Sequence, residues 1–174
     1  MTTPEQLKQF VRDVPDYPQK GVMFRDITPL LGDKEVFAEV VERMSAAWEK
    51  EPPDLVAGIE ARGFIPGAAI AVKLGAGFVP IRKTGKLPWS TVTETYDLEY
   101  GTDSLEVHSD AVMPGQRVLI VDDVLATGGT ASAAVRLIRK LGADVVGVQV
   151  LIELTYLDGR QRLSDVRLVS EITY

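Results

Sequence analysis

The chain has 174 residues, of which 45% are hydrophobic, a formal net charge of −6 and no cysteine. That length suits one well-buried domain, the acidity argues against a nucleic-acid partner, and the missing cysteines exclude disulfides and thiolate metal sites. No run approaches the roughly 18 apolar residues that a membrane span needs, and the N-terminal MTTPEQLKQF lacks the basic and apolar regions of a signal peptide. The expected location is therefore the cytoplasm, with no membrane partner, and a polyanionic ligand would need positive charge gathered locally.

Thr3, with Pro4 next and Gln6 three residues on, reads as an N-cap with a capping box. Leu7, Phe10, Val11 and Val14 extend it as one helical stripe, which Pro15, Pro18 and Gly21 break into a loop, VPDYPQKGVMFRDITPLL. Composition alone leaves that loop either folded on the core or functional. Asp33 is placed to cap a second helix, with Val36, Phe37, Val40, Val41, Met44 and Trp48 as its apolar face. Leu55–Ile59 reads as a buried strand, followed by the turn Glu60-Ala61-Arg62-Gly63 and a small-residue helix from about Phe64 to Leu74, closed by Gly75. A charged turn at the carboxyl end of such a strand lies where open α/β sheets bind ligands, although a solvated turn fits these residues too.

Phe78–Ile81 is a third strand, and Arg82, Lys83 and Lys86 crowd the turn after it. They form either a solubilising face or the local positive charge that a polyanion requires. From Ser90 to His108, β-formers flank Gly101-Thr102-Asp103, which predicts two strands around a tip. His108, the single histidine, reads as a surface strand residue, and Glu99 as one exposed acid among many.

Pro114-Gly115 turns the chain into Val118–Val121, whose apolar pattern is that of a strand buried on both faces. Asp122 and Asp123 stand where that run ends. Ala126-Thr127-Gly128-Gly129-Thr130 follows, then a helix with Ala131, Ala134, Val135, Ile138 and Leu141 on its apolar face and Gly142 at C′. Asp144–Leu154 is a long β-rich run, Leu157-Asp158-Gly159 a turn, Arg160–Leu163 a short helix and Val166–Ile172 an edge strand. Strands alternating with helices predict an α/β fold, a mostly parallel central sheet with helices on both faces.

The stretch VLIVDDVLATGGT concentrates the chemistry. A helix N-terminus offers unpaired N–H groups and partial positive charge to a phosphate, glycines let the backbone approach it, and the Thr hydroxyls add donors. Two adjacent acids at a strand's carboxyl end suit ribose hydroxyls or a hydrated Mg²⁺. No Gly-Lys-Ser/Thr follows the glycines, so an ATPase P-loop is a poor reading.

VLIVDDVLATGGT resembles the phosphoribosyl pyrophosphate (PRPP) signature of the type I phosphoribosyltransferases. FRDITPLL, GIEARGF, IRKTGKLP and LEYGTDSLE narrow the resemblance to the adenine phosphoribosyltransferases, and it extends through IELT at Ile152–Thr155. It implies one domain over 1–174, with 1–32 as an N-terminal helix and base-covering segment and 33–174 as the α/β core, whose active-site loop spans about 83–108. The implied reaction joins adenine to PRPP, giving AMP and pyrophosphate, with Mg²⁺ carried on PRPP rather than bound directly by the protein. By the same resemblance Ala126, Thr127, Gly128, Gly129 and Thr130 hold the 5′-phosphate, and Asp122 and Asp123 serve the ribose and its metal. Glu60, Ala61, Arg62, Gly63, Arg82 and Lys86 face pyrophosphate, Glu60–Ala61 is a cis peptide, and Met23, Phe24, Arg25 and Val124 surround adenine. Glu99, on a mobile loop, and Arg62 take catalytic roles, and a homodimer is implied. Two alternatives remain at this stage, a 6-oxopurine phosphoribosyltransferase and a non-catalytic regulator of the same fold that binds PRPP or purines.

Overall fold

A computed structural model describes residues 2–97 and 101–174. Thr3 caps the first helix, α1 (Pro4–Leu7), as its spacing predicts: its hydroxyl accepts from Gln6 N at 3.2 Å, and Thr3 N donates to Gln6 Oε1 at 2.7 Å. The helix is shorter than the apolar stripe implied. After one 3₁₀ turn, Val11 is already extended and Val14 belongs to β1 (Arg12–Pro15). Pro15 disfavours the helical conformation at Val14, and β2 (Met23–Asp26) supplies an antiparallel partner, Val14 opposite Phe24. What reads as a loop is therefore a hairpin that presents Met23 and Phe24. Asp26 closes it, accepting from Thr28 N at 2.9 Å and starting α2 (Thr28–Gly32).

Asp33 caps α3 (Lys34–Ala46), accepting from Glu35 N at 3.0 Å and Val36 N at 3.1 Å. β3 (Leu55–Ile59) and α4 (Phe64–Leu74) keep their expected bounds, and Gly75 ends α4 at φ +68°. The remaining elements are β4 (Gly77–Lys83), β5 (Thr91–Asp97), β6 (Thr102–His108), β7 (Arg117–Leu125), α5 (Gly129–Lys140), β8 (Asp144–Glu153) and β9 (Leu168–Thr173). Seven strands form one sheet in the order β5-β6-β4-β3-β7-β8-β9. From β4 to β9 the neighbours are parallel, while β6 joins β4 and β5 antiparallel.

The sheet separates two apolar cores. On one face α5 buries Ala131, Ala134, Val135 and Ile138 against Ala57, Ile81 and Val118. On the other, Val36, Val40 and Met44 of α3 and Ile70 of α4 pack with Val56, Leu119 and Leu151. Alternate residues of β7 thus enter opposite cores, which is why its sequence reads as an unbroken apolar run. All the parallel strands point their carboxyl ends to one edge of the sheet, and the turns that follow them gather there.

The opposite end is closed by Trp48, which is 3% exposed and donates to Gln149 Oε1 at 2.9 Å. Its ring lies against Gly147, at the point where the β7–β8 register shifts; a Cβ at 147 would stand 2.2 Å from that ring and 2.9 Å from Arg167 O. Gly147→Ala should destabilise the fold by about 1–3 kcal/mol, the usual cost of overpacking, without altering ligand affinity at the far edge. Thermal melts with and without ligand check both parts.

Candidate active site

At the carboxyl edge lies a cleft of about 530 Å³. β2 contributes Met23, Phe24 and Arg25 to its wall, the turn after β3 contributes Glu60, Ala61 and Arg62, and β7 contributes Asp122, Asp123 and Val124. Ala126, Thr127 and Thr130 line it from the loop before α5, and Leu154, Tyr156 and Leu157 from the segment after β8. Residues expected around four separate chemical groups thus share one cavity. Tyr156 and Leu157 were not among those expected. Their position just beyond β8, the strand beside β7, was the available signal.

Asp122 and Asp123 do not follow the central strand but belong to it, because the β7–β8 ladder continues to Leu125 opposite Glu153. The unbroken apolar run ends at Val121, whereas the ladder continues four residues further to Leu125, and Asp123 and Leu125 are still buried. Strand alternation sends the two carboxylates to different sides. Asp123, 5% exposed, pairs with Arg62, and its backbone N donates to Asp122 Oδ1 at 2.9 Å. Burial, then the neighbouring Asp123 carboxylate, pushes the pKa of Asp122 well above the usual range. Gly63 lets the turn after β3 lie against β7: a Cβ there would stand 2.8 Å from Asp122 Oδ1 and 2.6 Å from Ile59 O. The Glu60–Ala61 peptide in this turn is cis.

The loop Ala126–Gly128 turns sharply into α5. Gly128 has φ +81°, and a Cβ on it would meet Gly159 O at 2.4 Å; one on Gly159 would meet Ala126 O at 2.1 Å. Two backbones are in direct contact here, so neither position has room for a side chain. Gly129 differs, being the first residue of α5, with a Cβ position 3.6 Å from the Tyr96 ring. The Gly159 turn is fixed by Arg160, which donates to Glu153 Oε1 at 2.8 Å and Oε2 at 2.6 Å, while Ser170 Oγ donates to Oε2 at 2.7 Å. The loop encloses a small pocket of about 80 Å³ from Asp122 to Ala131, open to the N–H groups of the helix.

Glu60 gathers the expected cations. It accepts from Arg82 Nε at 3.2 Å and Lys83 N at 2.9 Å, and it pairs with Lys86 Nζ. Burial alone would raise its pKa, but Lys86, the Lys83 amide and Arg82 outweigh that and hold it below the usual glutamate value. Lys83, grouped by sequence with a cationic turn, ends β4 and lines the cleft. Its Nζ reaches Tyr96 Oη at 2.8 Å and pairs with Asp103, and Thr130 Oγ1 donates to Tyr96 Oη at 3.2 Å. Tyr96 and Asp103 face each other across β5 and β6, a relation that only the hairpin register reveals.

Met23, Phe24, Arg25 and Val124 meet at the apolar end of the cleft. The Arg62 guanidinium lies 4.9 Å from the Phe24 ring centroid, linking this end to the charged turn. The Arg25 guanidinium is engaged by Asp13 and stacks 3.8 Å over Tyr174. Glu99 lies outside the described residues, between the strands β5 and β6. His108, half-buried at the end of β6, is not among the residues lining the cleft.

The sequence matches the family described as phosphoribosyl transferase domain over residues 31–172. It is 58% identical over 168 residues to an adenine phosphoribosyltransferase of Thermotoga petrophila, covering 97% of this chain and 99% of that one. The chain belongs to the adenine phosphoribosyltransferase family. The crystal structure of the family's Rhodothermus marinus enzyme superposes with a TM-score of 0.95 at 50% identity, covering 98% of each chain. The Saccharomyces cerevisiae adenine phosphoribosyltransferase, complexed with D-2,5-dideoxy-2,5-imino-altritol 1,6-bisphosphate and adenine, gives 0.91 at 35% identity, covering 97% of this chain and 98% of that one. The type I fold expected from the sequence is the fold observed.

The two glycines of the family loop make different demands. Gly128→Ala forces a Cβ into the Gly159 backbone at positive φ and should lower the melting temperature, whereas Gly129→Ala should leave it near that of the parent chain. Differential scanning calorimetry of the two variants separates them. Equal melting temperatures would remove the distinction.

Proposed function

We propose that this chain transfers the 5-phosphoribosyl group from PRPP to adenine, releasing pyrophosphate and forming AMP. The observation that carries this reading is the convergence on one cleft of a phosphate-sized loop pocket, an acidic strand end, the cations Arg62 and Lys83 and an apolar wall. In the proposed arrangement Ala126–Thr130 wrap the 5′-phosphate with backbone N–H groups and hydroxyls. Asp122 and Asp123 take the ribose, Met23, Phe24 and Val124 flank the purine, and the backbone at Arg25 reads its edge, since that guanidinium is already engaged.

The C1′–O bond to pyrophosphate breaks as the C1′–N bond to the base forms, and positive charge builds on the ribose between these events. Arg62, Arg82 and Lys86, with the Glu60–Gly63 turn, would neutralise the leaving group, and closure over the cleft would keep water from the ribose cation. Among the described residues no cluster of three His, Cys, Asp or Glu side chains could hold a metal alone. The acidic pair instead suits Mg²⁺ that arrives with phosphate oxygens and water as its other ligands, and it would add charge neutralisation at the pyrophosphate.

The two apolar cores lean on one sheet, which supports 1–174 as one domain, with 1–32 covering the base and the hairpin within 83–108 bordering the cleft. Exposed Ile65 and Val72, seven residues apart on one face of α4, and exposed Phe78 of β4 support a second copy as partner. A chain without cysteine fits a reducing compartment such as the cytoplasm.

Incubating the chain with PRPP, Mg²⁺ and each free base tests the reaction: AMP should form from adenine far faster than IMP or GMP from the 6-oxopurines. AMP formation no faster than the others would overturn the assignment. If Glu99 exchanges the purine proton, Glu99→Leu should lower kcat by about 10²–10⁴-fold, the usual range for acid/base groups. The KM for PRPP should hardly move, and a near-parent single-turnover rate would remove the role.

A further inference from the structure

Glu106 is a buried acid that this reaction scheme does not use. It sits in the middle of β6, 4% exposed, opposite Arg82 of β4 and Thr93 of β5. Its Oε1 accepts from three successive backbone amides, Gly85 N at 2.9 Å, Lys86 N at 3.2 Å and Leu87 N at 3.4 Å, and its Oε2 accepts from Thr91 Oγ1 at 3.4 Å. Gly85 has φ +83°, which folds the turn so that these N–H groups point to one place. Such a concave run of amides is an anion-binding nest, and here the anion is built into the protein.

The same turn carries Lys86, whose side chain reaches Glu60, and its carbonyl accepts from Arg82 NH1 at 3.1 Å. One buried carboxylate therefore fixes the backbone from which one pyrophosphate-side cation extends and against which the other rests. We propose that Glu106 is a positioning residue for the leaving group. By filling the nest of the turn at Thr84–Leu87, it holds Lys86 and Arg82 at the pyrophosphate end of the cleft. This rests on the functional reading above. Its consequence is selective, because PRPP and pyrophosphate engage that turn whereas AMP carries no pyrophosphate.

The test compares the unmutated chain with Glu106→Ala and Glu106→Gln. It reads KM for PRPP and adenine, Kd for Mg-pyrophosphate and for AMP by calorimetry, and the melting temperature. Loss of hydrogen bonds to a charged group should raise KM for PRPP and Kd for pyrophosphate by about tenfold or more in Glu106→Ala, with AMP affinity changed less than about twofold. Glu106→Gln keeps an oxygen for the three amides and should recover most of the loss. If the alanine variant melts below the assay temperature, Glu106→Asp carries the test, since the shorter side chain withdraws the carboxylate from the turn and should give the same split. Unchanged PRPP and pyrophosphate binding would overturn the proposal, as would AMP affinity falling in proportion. Failure of the unmutated chain to bind PRPP, pyrophosphate and AMP would instead overturn the functional reading, and this inference with it.

Discussion

The site depends on cations held by carboxylates. An acidic chain must present positive charge to a polyanion, and clustered cations repel each other unless acids lie between them. Arg62 pairs with Asp123, Arg82 and Lys86 with Glu60, and Lys83 with Asp103. The cationic ends keep 33–47% of their side-chain surface exposed. The Asp123 and Glu60 side chains keep only 7–10%, so each of their cations is fixed at a buried acid while its other side stays open to solvent. The net charge of −6 and a polyanion site are therefore compatible.

The backbone is organised by close approach rather than by side-chain packing at this edge. Gly63 lets the turn after β3 lie on Asp122, and Gly128 and Gly159 put the loop before α5 against the turn after β8. Three connections from three neighbouring parallel strands thus brace one another. The glycines make this mutual support possible, and the Glu153–Arg160 fork secures the outer turn without lining the cleft.

The central parallel strands and the three longer helices were legible in the sequence because each signal was local: Asp33 beside its cap donors, Gly75 ending α4, and the apolar run of β7. The N-terminal hairpin was not. Leu7, Phe10, Val11 and Val14 satisfy helical spacing, and only the pairing of Val14 with Phe24 reveals the strand. The cleft was legible where one continuous segment lines it, as in Ala126–Thr130 and Glu60–Arg62. It was hidden where contacts depend on register. Lys83, Tyr96, Asp103 and Thr130 come from four elements, and nothing in their spacing announces that they meet. Gly128 and Gly129 look equivalent in a sequence, yet one backbone is left-handed and the other helical.

The β5–β6 hairpin connects these features. Near its base Glu106 grips the turn carrying Lys86; towards its tip Tyr96 and Asp103 hold Lys83, and Tyr96 accepts from Thr130 at the start of α5. Glu94 anchors the same hairpin along α5, bonding Arg136 at 2.6 Å and Lys140 at 2.5 Å. One antiparallel addition to a parallel sheet thereby touches both the turn carrying Lys86 and the start of α5, which belong to different crossover units. A parallel sheet alone delivers these groups to a common edge but leaves their spacing to separate loops. The hairpin ties one to the other by hydrogen bonds, so the distance between the two becomes a property of the sheet.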